Sequence, residues 1–239
     1  TPRDKGFRLR MSNVGKPICQ LQWAAKGAKE KRKDYNFIMR MMFGDATEVL
    51  TNLMLKLAGA NITGSKNKVE LKLGKTVVRG EDDIHIDDKV YDVKSCSPFA
   101  YDNKWSKGYE GLKSDDAFGY IGQLAGYSEA QGKEPGGWIV VEKSSGRLSV
   151  VEADASANEK ALTLFGLEAK ADKLASGADI DRQFEPIIDT FRGKPTGLKR
   201  LPKACDWCDF TASCYPDAKH AAHPSSKAKS PPKYWFVKE

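Results

Sequence analysis

Carboxylates and a lysine lie close together in residues 80–94, and their spacing predicts that they meet in space. If residues 87–88 form the turn of a β-hairpin, the register of the two strands brings Asp83 opposite Asp92. Directly opposed residues have Cβ atoms about 4.5–5.5 Å apart, where two like charges repel each other. A cation bound between the two carboxylates would remove that repulsion, so the pair is a candidate metal site.

The side chains of these strands alternate between two faces. Period-two alternation places Lys94 on the same face as Asp92. The opposite face is predicted to carry a core-facing row of apolar residues: Ile84, Ile86, Tyr91 and Val93. The residues alone also allow a simpler interpretation, in which the aspartates belong to a solvated acidic turn and Asp92 points outward from its strand.

An all-oxygen site of this kind suits a hard divalent cation. Mg²⁺ binds oxygen ligands in near-octahedral geometry and keeps several waters, so a few carboxylates and a substrate phosphate are enough to hold it. Asp83 and Asp92 would supply such ligands, and the carbonyl of Val93 would add another. An ion held there would activate a water toward a phosphodiester, with Lys94 acting on that water or on the developing negative charge.

The pattern Gly80-x-x-Asp83 followed by Asp92-Val93-Lys94 resembles the signature strand pair of the PD-(D/E)XK nuclease superfamily. The resemblance implies an α/β fold with a restriction-endonuclease-like core, in which a central mixed β-sheet is flanked by helices. It also implies a catalytic centre that uses Mg²⁺ or Mn²⁺ to hydrolyse DNA.

Two further elements are similar to the RecB-type members of that superfamily. Gln123 and Tyr127 match a Q-x3-Y motif, and their i,i+4 spacing places both on one helix face. Gly44 and Glu48 match a G-x3-E element on the helix before the strands. By this resemblance Glu48 is a third acidic metal ligand, while Gln123 and Tyr127 hold the DNA and order the active site. CRISPR-associated and RecB/AddB-type enzymes usually have His in place of Glu48 and Glu in place of Asp92, a difference that favours Mg²⁺ over softer ions.

The cysteines carry a second resemblance. Cys205, Cys208 and Cys214 form a C-x2-C-x5-C pattern near the C-terminus, and Cys19 lies alone near the N-terminus. RecB-like nucleases of the CRISPR-associated and AddB groups similarly have one cysteine before the nuclease core and three after it, which implies that the four thiolates hold a four-iron four-sulfur cluster. Four thiolates with this spacing also suit structural zinc. Cys96 is expected to be a small buried residue beside the active-site strand.

The hydrophobic pattern predicts helices and strands around these motifs. A single helix, or a pair of helices interrupted at Gly44, is expected over residues 35–58, and two hairpins follow it. Residues 97–115 have the composition of a loop. The remaining predicted elements are, in chain order, a helix, two strands, two helices and an extended tail: 115–132, 138–141, 148–151, 155–176, 179–192 and 218–233.

The motifs divide the chain into four predicted segments. A basic N-terminal segment of residues 1–34 contributes one cluster cysteine, and the nuclease core spans residues 35–192. A cysteine-rich cluster segment follows over residues 193–217, and a basic tail over residues 218–239. Shared ligation by the four cysteines would anchor the cluster segment to the N-terminal segment.

Residues 99–113 interleave aromatic and basic side chains. Such a mixture suits bases stacked on rings with phosphates nearby, as in channels that bind single strands. Lys104, Trp105 and Lys107 are therefore candidate DNA contacts, together with Gln123 and Tyr127. The alternative is a surface segment whose aromatic residues anchor it to the core.

Composition restricts the class of protein. The 239-residue chain has a formal net charge of +7 and a sequence pI ≈ 9.0, which favours a polyanionic partner. Hydrophobic residues make up 40% of the chain without any run long enough to span a membrane. The basic N-terminus lacks the apolar core of a secretion signal, so we expect a cytoplasmic protein, in the host cytoplasm if it is phage-encoded.

Two functional hypotheses follow. The first is a metal-dependent exonuclease that hydrolyses phosphodiester bonds at DNA ends, with free-ended or single-stranded DNA as its substrate. Because the chain has no helicase motif, unwinding would come from a helicase or recombination partner protein. The second hypothesis is a non-catalytic DNA-binding or assembly module that uses a nuclease-like fold and a metal cluster only as a scaffold.

Overall fold

The computed structural model describes residues 6–28, 34–229 and 231–237. Lys29, Lys31, Arg32 and Lys33 of the predicted basic segment lie outside these ranges. The helices of the described residues are α1 Met11–Val14, α2 Ile18–Ala25, α3 Tyr35–Leu57, α4 Pro98–Asn103, α5 Gly108–Ser114, α6 Tyr120–Gln131, α7 Ala157–Ala175, α8 Lys203–Asp206 and α9 Thr211–Cys214, with a 3₁₀ turn at Trp105–Lys107.

Within the described ranges, the strands fall into three sheets. They are β1 Ile62–Ser65, β2 Lys68–Leu73, β3 Thr76–Glu81, β4 Ile84–Ile86, β5 Lys89–Cys96, β6 Pro135–Glu142, β7 Leu148–Glu152, β8 Ile187–Phe191, β9 Lys194–Arg200, β10 Lys219–Ala222 and β11 Lys233–Val237. Clustering of contacts divides the chain into two units. The core unit comprises the described parts of Leu9–Lys16 and Arg32–Ala178, and the cysteine unit comprises those of Thr1–Arg8, Pro17–Lys31 and Asp179–Glu239.

The core unit is built on a five-stranded sheet with the order β1-β4-β5-β6-β7. β5 and β6 run parallel, with Asp92 beside Trp138, and the other neighbouring pairs are antiparallel. β6 is buried along almost its whole length, as is typical of a strand covered on both faces. The predicted organisation, mixed α/β with a central mixed sheet flanked by helices, is confirmed at this level.

One face of the sheet is covered by α3. Leu55 packs against a small cluster formed by Ile84, Val93 and Ile139. Of the two arrangements predicted for this region, the structure has the single helix, which is continuous through Gly44. Many of its other large apolar side chains are more than half exposed: Tyr35, Ile38, Met41, Met42, Phe43, Val49, Leu50, Leu53, Met54 and Leu57.

The opposite face carries the larger core. Leu124 and Tyr127 of α6 and Leu167 of α7 pack with Trp138 and Val140 of β6. Helix α1 and the β2–β3 hairpin contribute further buried side chains to the same cluster. The sheet therefore has apolar layers on both sides, and a polar side chain placed on either face is removed from water.

The β4–β5 hairpin has the predicted turn. Asp87 and Asp88 form it with positive φ angles of 49° and 63°, the conformation of a type I′ turn. Ile86 pairs with Lys89 across the turn, which confirms the predicted register. The preceding β2–β3 hairpin, however, is a separate two-stranded sheet, and β1, which was not predicted, takes the edge beside β4.

Residues 97–115 were predicted to be a loop, and that prediction is wrong, because they form α4, the 3₁₀ turn and α5. Ser97 caps α4 by accepting a hydrogen bond from the Ala100 N–H at 3.3 Å, and Pro98 occupies the first turn. The Trp105 ring stacks on Tyr120 with 5.8 Å between ring centroids. Burial of aromatic side chains holds these short helices in place.

The cysteine unit contains a four-stranded sheet of order β10-β11-β9-β8. The predicted helix over residues 179–192 is wrong, since residues 179–186 are irregular and β8 follows them. Gln22 of α2 provides the physical reason: its side chain donates to the Asp179 carbonyl at 2.7 Å and accepts from the Asp181 N–H at 2.9 Å. These bonds satisfy the backbone without a helix.

The predicted tail is also more structured than expected. β10 and β11 pair with each other through Lys219–Ala222 and Lys233–Val237, and β11 pairs with β9. Buried Asp189 of β8 accepts from Thr196 at 2.7 Å, pairs with Arg200 at 2.9 Å and lies 2.8 Å from His223. These contacts tie β8, β9 and the segment after β10 together. Among the described residues, no helix has the length and apolar content needed to cross a membrane.

Gly119 is expected to be essential for the position of α6. Its φ is +75°, and an added Cβ would lie 2.0 Å from the Gly15 carbonyl carbon, so Gly119→Ala should reduce the free energy of unfolding by about 3 kcal/mol. Gly146 is a matched control, with φ +73° and nothing within 4 Å of an added Cβ. Gly146→Ala should cost only about 1 kcal/mol, and equal losses in urea unfolding would contradict the role of the close contact.

Candidate active site and cysteine cavity

The β4–β5 hairpin places two aspartates side by side. Ile84 pairs with Tyr91, so Asp83 and Asp92 are the next residues outward on the two strands. Asp83 Oδ2 accepts a hydrogen bond of 2.8 Å from the Val93 N–H, which fixes this carboxylate against β5. The acidic turn is thus not merely solvated, because its outer end carries a carboxylate into the sheet.

Asp92 is almost fully buried, with 2% of its surface exposed. Burial and the nearby Asp83 carboxylate raise the pKa of Asp92 above its ordinary value, although Lys94 acts in the opposite direction. The Lys94 ammonium lies 2.5 Å from Asp92 Oδ2, which confirms that the two side chains share a face. Within the described residues, neither Asp92 oxygen has a hydrogen bond of good geometry.

Lys94 is held in its charged form. Burial lowers the pKa of Lys94, but the carboxylates of Asp92 and Asp83 outweigh that effect and raise it above the usual value for lysine. The ammonium also lies 5.0 Å from the centroid of the Tyr120 ring, within the range of a cation–π contact. The site therefore keeps a permanent cation beside a carboxylate that resists ionisation.

Glu48 reaches the same place from α3. Gly44, one turn earlier, lies against Ser95 of β5, which brings this part of the helix close to the strand. Burial raises the pKa of Glu48, and Asp83 and Lys94 are among the charges that act on it. Glu48, Asp83, Asp92 and Lys94 are hereafter called the acidic site, because the structure brings these four predicted residues together.

Gln123 and Tyr127 lie on one face of α6, as their spacing predicted. The Gln123 side chain is hydrogen-bonded to Tyr127, and burial raises the pKa of Tyr127 to about 12. Asp83, Asp92 and Lys94 also influence that pKa, so the phenol lies close to the acidic site. Tyr127 is buried in the larger core, whereas Gln123 is partly exposed.

Lys66, which no sequence motif marked, belongs to the same site. Its ammonium forms an ion pair with Glu48 Oε1 and lies 3.9 Å from Asp83 Oδ1. Lys66 occupies the turn between β1 and β2 with a positive φ of 54°. The only sequence signal was the polar run Ser65-Lys66-Asn67, which is typical of a turn but does not indicate which strands it joins.

A second polar network, also missed, lies next to the acidic site. The Asp82 carboxylate accepts hydrogen bonds from the Asn67 N–H at 2.8 Å and from Gln131 Nε2 at 2.9 Å, and it lies 2.8 Å from His85 Nε2. Asp82 and His85 are both buried. Because Asp82 directly precedes Asp83, this network fixes the backbone that carries the first carboxylate of the site.

The three residues of the 97–115 segment that were predicted to contact DNA differ in their exposure to solvent. Trp105 is 3% exposed and belongs to the larger core, so the anchoring interpretation describes it. Lys104 is 8% exposed and donates to the Asp115 carbonyl at 3.2 Å. Lys107 alone of these three is exposed. Neither Lys104 nor Trp105 presents a surface for base stacking or phosphate contact in this conformation.

Four cysteines of the cysteine unit line one small cavity: Cys19, Cys205, Cys208 and Cys214. Burial and neighbouring thiols raise the pKa of Cys19 to about 11 and that of Cys205 to about 12. All five cysteines of the chain are free thiols. Cys96 is buried in β5 of the core unit, as expected, and burial and Glu142 raise its pKa to about 11.

Neither group is a preassembled metal site. In the part of the chain that the structure describes, no set of three or more His, Cys, Asp or Glu side chains is arranged to hold a metal ion as it stands. The chemistry of both groups nevertheless fits one. The buried oxygens of Asp92 make no hydrogen bond of good geometry among the described residues, and four thiols share one cavity, with burial raising the pKa values of Cys19 and Cys205. A bound cation would stabilise the ionised form of either group.

Comparison with known proteins adds little. No protein-family model matches the chain, and no curated protein is significantly similar to it. A solved structure described as "Crystal structure of SSO0001" aligns with 90% of this chain and 88% of the other, at 15% identity and a TM-score of 0.48. A similarity at that level carries no argument, so the interpretation of the acidic site depends on its own geometry.

Asp92→Asn is expected to make the stability of the metal-free protein less dependent on pH. Because the pKa of Asp92 is raised in the folded state above an unfolded value of about 3.9, its ionisation opposes folding. Stability of the wild type should therefore fall as pH rises from about 4 through the raised folded pKa, and the variant should lose less. Melting temperatures in EDTA at several pH values measure this difference.

Asp87→Asn, in the exposed turn of the same hairpin, is the control and should leave the pH profile close to that of the wild type. A fall in melting temperature with rising pH that is as steep for Asp92→Asn as for the wild type would contradict the raised pKa of Asp92.

Proposed function

We propose that this protein is a Mg²⁺- or Mn²⁺-dependent deoxyribonuclease with a restriction-endonuclease-like core, acting as an exonuclease at DNA ends. The observation that carries the proposal is the convergence of Glu48, Asp83, Asp92 and Lys94 from a helix and a hairpin. Three carboxylates beside a lysine are costly to stability and are the groups that metal-assisted phosphodiester hydrolysis uses.

Each residue of the acidic site has a distinct part in this proposal. Asp83 and Asp92 offer oxygen ligands from adjacent strands, Glu48 offers a third from α3, and the Val93 carbonyl remains a predicted fourth. When bound, a divalent cation would supply Lewis acidity toward the phosphate and activate a water. Because Asp83 is already held by the Val93 N–H, its carboxylate needs little rearrangement to become a ligand.

Lys94 is the permanent positive charge of the proposed centre. Its raised pKa keeps it protonated across the physiological range, so it can stabilise negative charge that develops on the phosphate. Gln123 and Tyr127 lie beside the carboxylates on α6, with Gln123 partly exposed, and are proposed to position the DNA strand. Tyr127 then acts mainly through its hydrogen bond to Gln123.

The DNA surface is proposed to extend from Gln123 to exposed Lys107, whose ammonium would contact a phosphate without reading sequence. The net charge of +7 supports a polyanionic substrate. We further propose that the substrate is DNA with free ends or single strands, that a helicase or recombination protein is the partner, and that the protein acts in the cytoplasm. Lys104 and Trp105 lie outside the proposed contact surface because both are buried.

For the cysteine cavity we propose a four-iron four-sulfur cluster with a structural role. Cys19 comes from α2 and the other three cysteines from the segment around α8 and α9, so one cluster would join two chain segments that are distant in sequence. The Phe210 N–H approaches Cys208 Sγ at 3.4 Å, a contact typical of thiolate ligands. Zinc is the alternative occupant, because four thiolates satisfy it equally well.

Lys94→Ala is expected to reduce the rate of DNA cleavage by about 10²–10³-fold, because it removes the charge that opposes developing negative charge. Lys89→Ala, at the exposed start of the same strand, should cleave at the wild-type rate. Cleavage of linear DNA with Mg²⁺, and its absence in EDTA, establishes the baseline, and electrophoretic mobility shift assays should show similar DNA binding by all three proteins.

Full cleavage by Lys94→Ala would contradict the role of that lysine. DNA binding without any metal-dependent cleavage by the wild type would instead support the non-catalytic module. Comparison of linear with circular DNA then tests the exonuclease, since an enzyme that needs a free end leaves a closed circle intact.

Cys205→Ser is expected to lower the iron and sulfide content of the purified protein and to bleach its brown colour. Cys96→Ser is the control, because Cys96 is buried in the core unit and does not line the cysteine cavity. Elemental analysis and the visible absorption spectrum are the measurements. A colourless wild type with one zinc per chain would replace the cluster with a zinc site, and a wild type without either metal would contradict both.

A further inference from the structure

The ammonium of Lys66 lies beside two carboxylates, those of Glu48 and Asp83, whose mutual repulsion a cation would reduce. It forms an ion pair with Glu48 Oε1 and lies 3.9 Å from Asp83 Oδ1. The two carboxylates are largely shielded, with 16% and 15% of their side chains exposed, and two like charges in such surroundings repel each other strongly. A single ammonium between them lowers that repulsion without any metal.

The fold builds this position from the backbone. Lys66 adopts a positive φ of 54°, which is unfavourable for a residue with a side chain. The next residue, Asn67, is clamped to Asp82: its N–H donates to Asp82 Oδ1 at 2.8 Å, and its carbonyl accepts from the Asp82 N–H at 3.1 Å. The same clamp therefore fixes the backbone before Asp83 and the turn that carries Lys66.

The backbone of Lys66 is held in place, whereas its side chain can rotate. The turn is held by hydrogen bonds to a buried carboxylate, whereas 45% of the Lys66 side chain is exposed. Rotation about the side-chain bonds can therefore carry the ammonium away from Glu48 while the turn stays in place. No rearrangement of the sheet is needed to empty the position.

We infer that Lys66 is an internal competitor for the divalent cation: its ammonium neutralises Glu48 and Asp83 in the metal-free protein, and the cation must displace it to bind. This inference rests on the acidic site being a metal site, as in the proposed function. Two cations cannot both occupy the space between these carboxylates, because they repel each other at that separation. Lys66 thus weakens metal binding and prevents the empty site from destabilising the fold.

The test compares Mn²⁺ binding by the full chain before and after removal of the charge. Lys66→Met keeps the length and flexibility of the side chain, and it is expected to bind Mn²⁺ about tenfold more tightly than the wild type. Lys75→Met, in the exposed turn of the β2–β3 hairpin, is the matched control and should bind like the wild type. Electron paramagnetic resonance of free Mn²⁺, without DNA, gives the dissociation constants.

Stability provides a second readout. In EDTA, Lys66→Met should melt at a lower temperature than the wild type, because Glu48 and Asp83 are left without the ammonium. Saturating Mn²⁺ should raise the melting temperature of the variant by more than that of the wild type. Lys66→Gln repeats the comparison with a polar neutral side chain.

Binding of Mn²⁺ by the variants that is equal to or weaker than that of the wild type overturns the competitor role and leaves the nuclease proposal intact. Tighter binding by Lys66→Met and Lys66→Gln supports the role of Lys66 even when the wild type cuts no DNA. Failure of the nuclease proposal is therefore detected by the cleavage assay and not by this one. Absence of Mn²⁺ binding by all the proteins overturns both the metal site and the competition.

Discussion

A buried carboxylate that makes no hydrogen bond of good geometry among the described residues is the constraint on which the core unit depends. Asp92 lies between two apolar layers with Lys94 as its close cation and Asp83 as a like-charged neighbour. Removing an ion from water costs several kcal/mol even after the protein relaxes, and one ion pair repays this only with good geometry and further hydrogen bonds. Asp92 lacks those bonds among the described residues, so its ionised form is stabilised incompletely.

The surrounding elements place further carboxylates near Asp92, which makes its ionised form still less favourable. The hairpin turn at Asp87 and Asp88 sets the register that brings Asp83 next to Asp92, and α3 adds Glu48 from the other side of the strand. Each carboxylate added to the group makes ionisation of the others less favourable. An arrangement of this kind is costly to stability and is typical of functional sites.

The parts of the site that depend on local rules could be predicted from the sequence. Strand alternation and a two-residue turn are sufficient to place Asp83, Asp92 and Lys94 together, and the period of a helix places Gln123 beside Tyr127. Lys66 could not be found in this way, because its position depends on β1 pairing with β4, a contact between distant segments.

The errors in the predicted elements also have non-local causes. Residues 97–115 look like a loop because they contain Pro98, Asn103, Gly108 and Gly111. Burial of Trp105 against Tyr120 nevertheless makes short helices favourable there. Residues 179–186 look helical, but the buried side chain of Gln22 takes up backbone groups of that segment. Propensity was overridden in both cases by contacts with residues that are distant in the sequence.

Comparison of Asp82 with Asp92 shows that the shortage of hydrogen bonds is specific to the acidic site and is not general to the sheet. Both aspartates are buried, at 0% and 2% exposure, and both belong to the same chain segment around β4 and β5. Asp82 receives hydrogen bonds from Asn67 and Gln131 and lies against His85, as buried polar groups ordinarily do. The fold thus satisfies one buried carboxylate fully while leaving its neighbour short of donors. Asp82 fixes the turn of Lys66 and the backbone before Asp83. This well-bonded aspartate therefore holds in place the groups that surround Asp92.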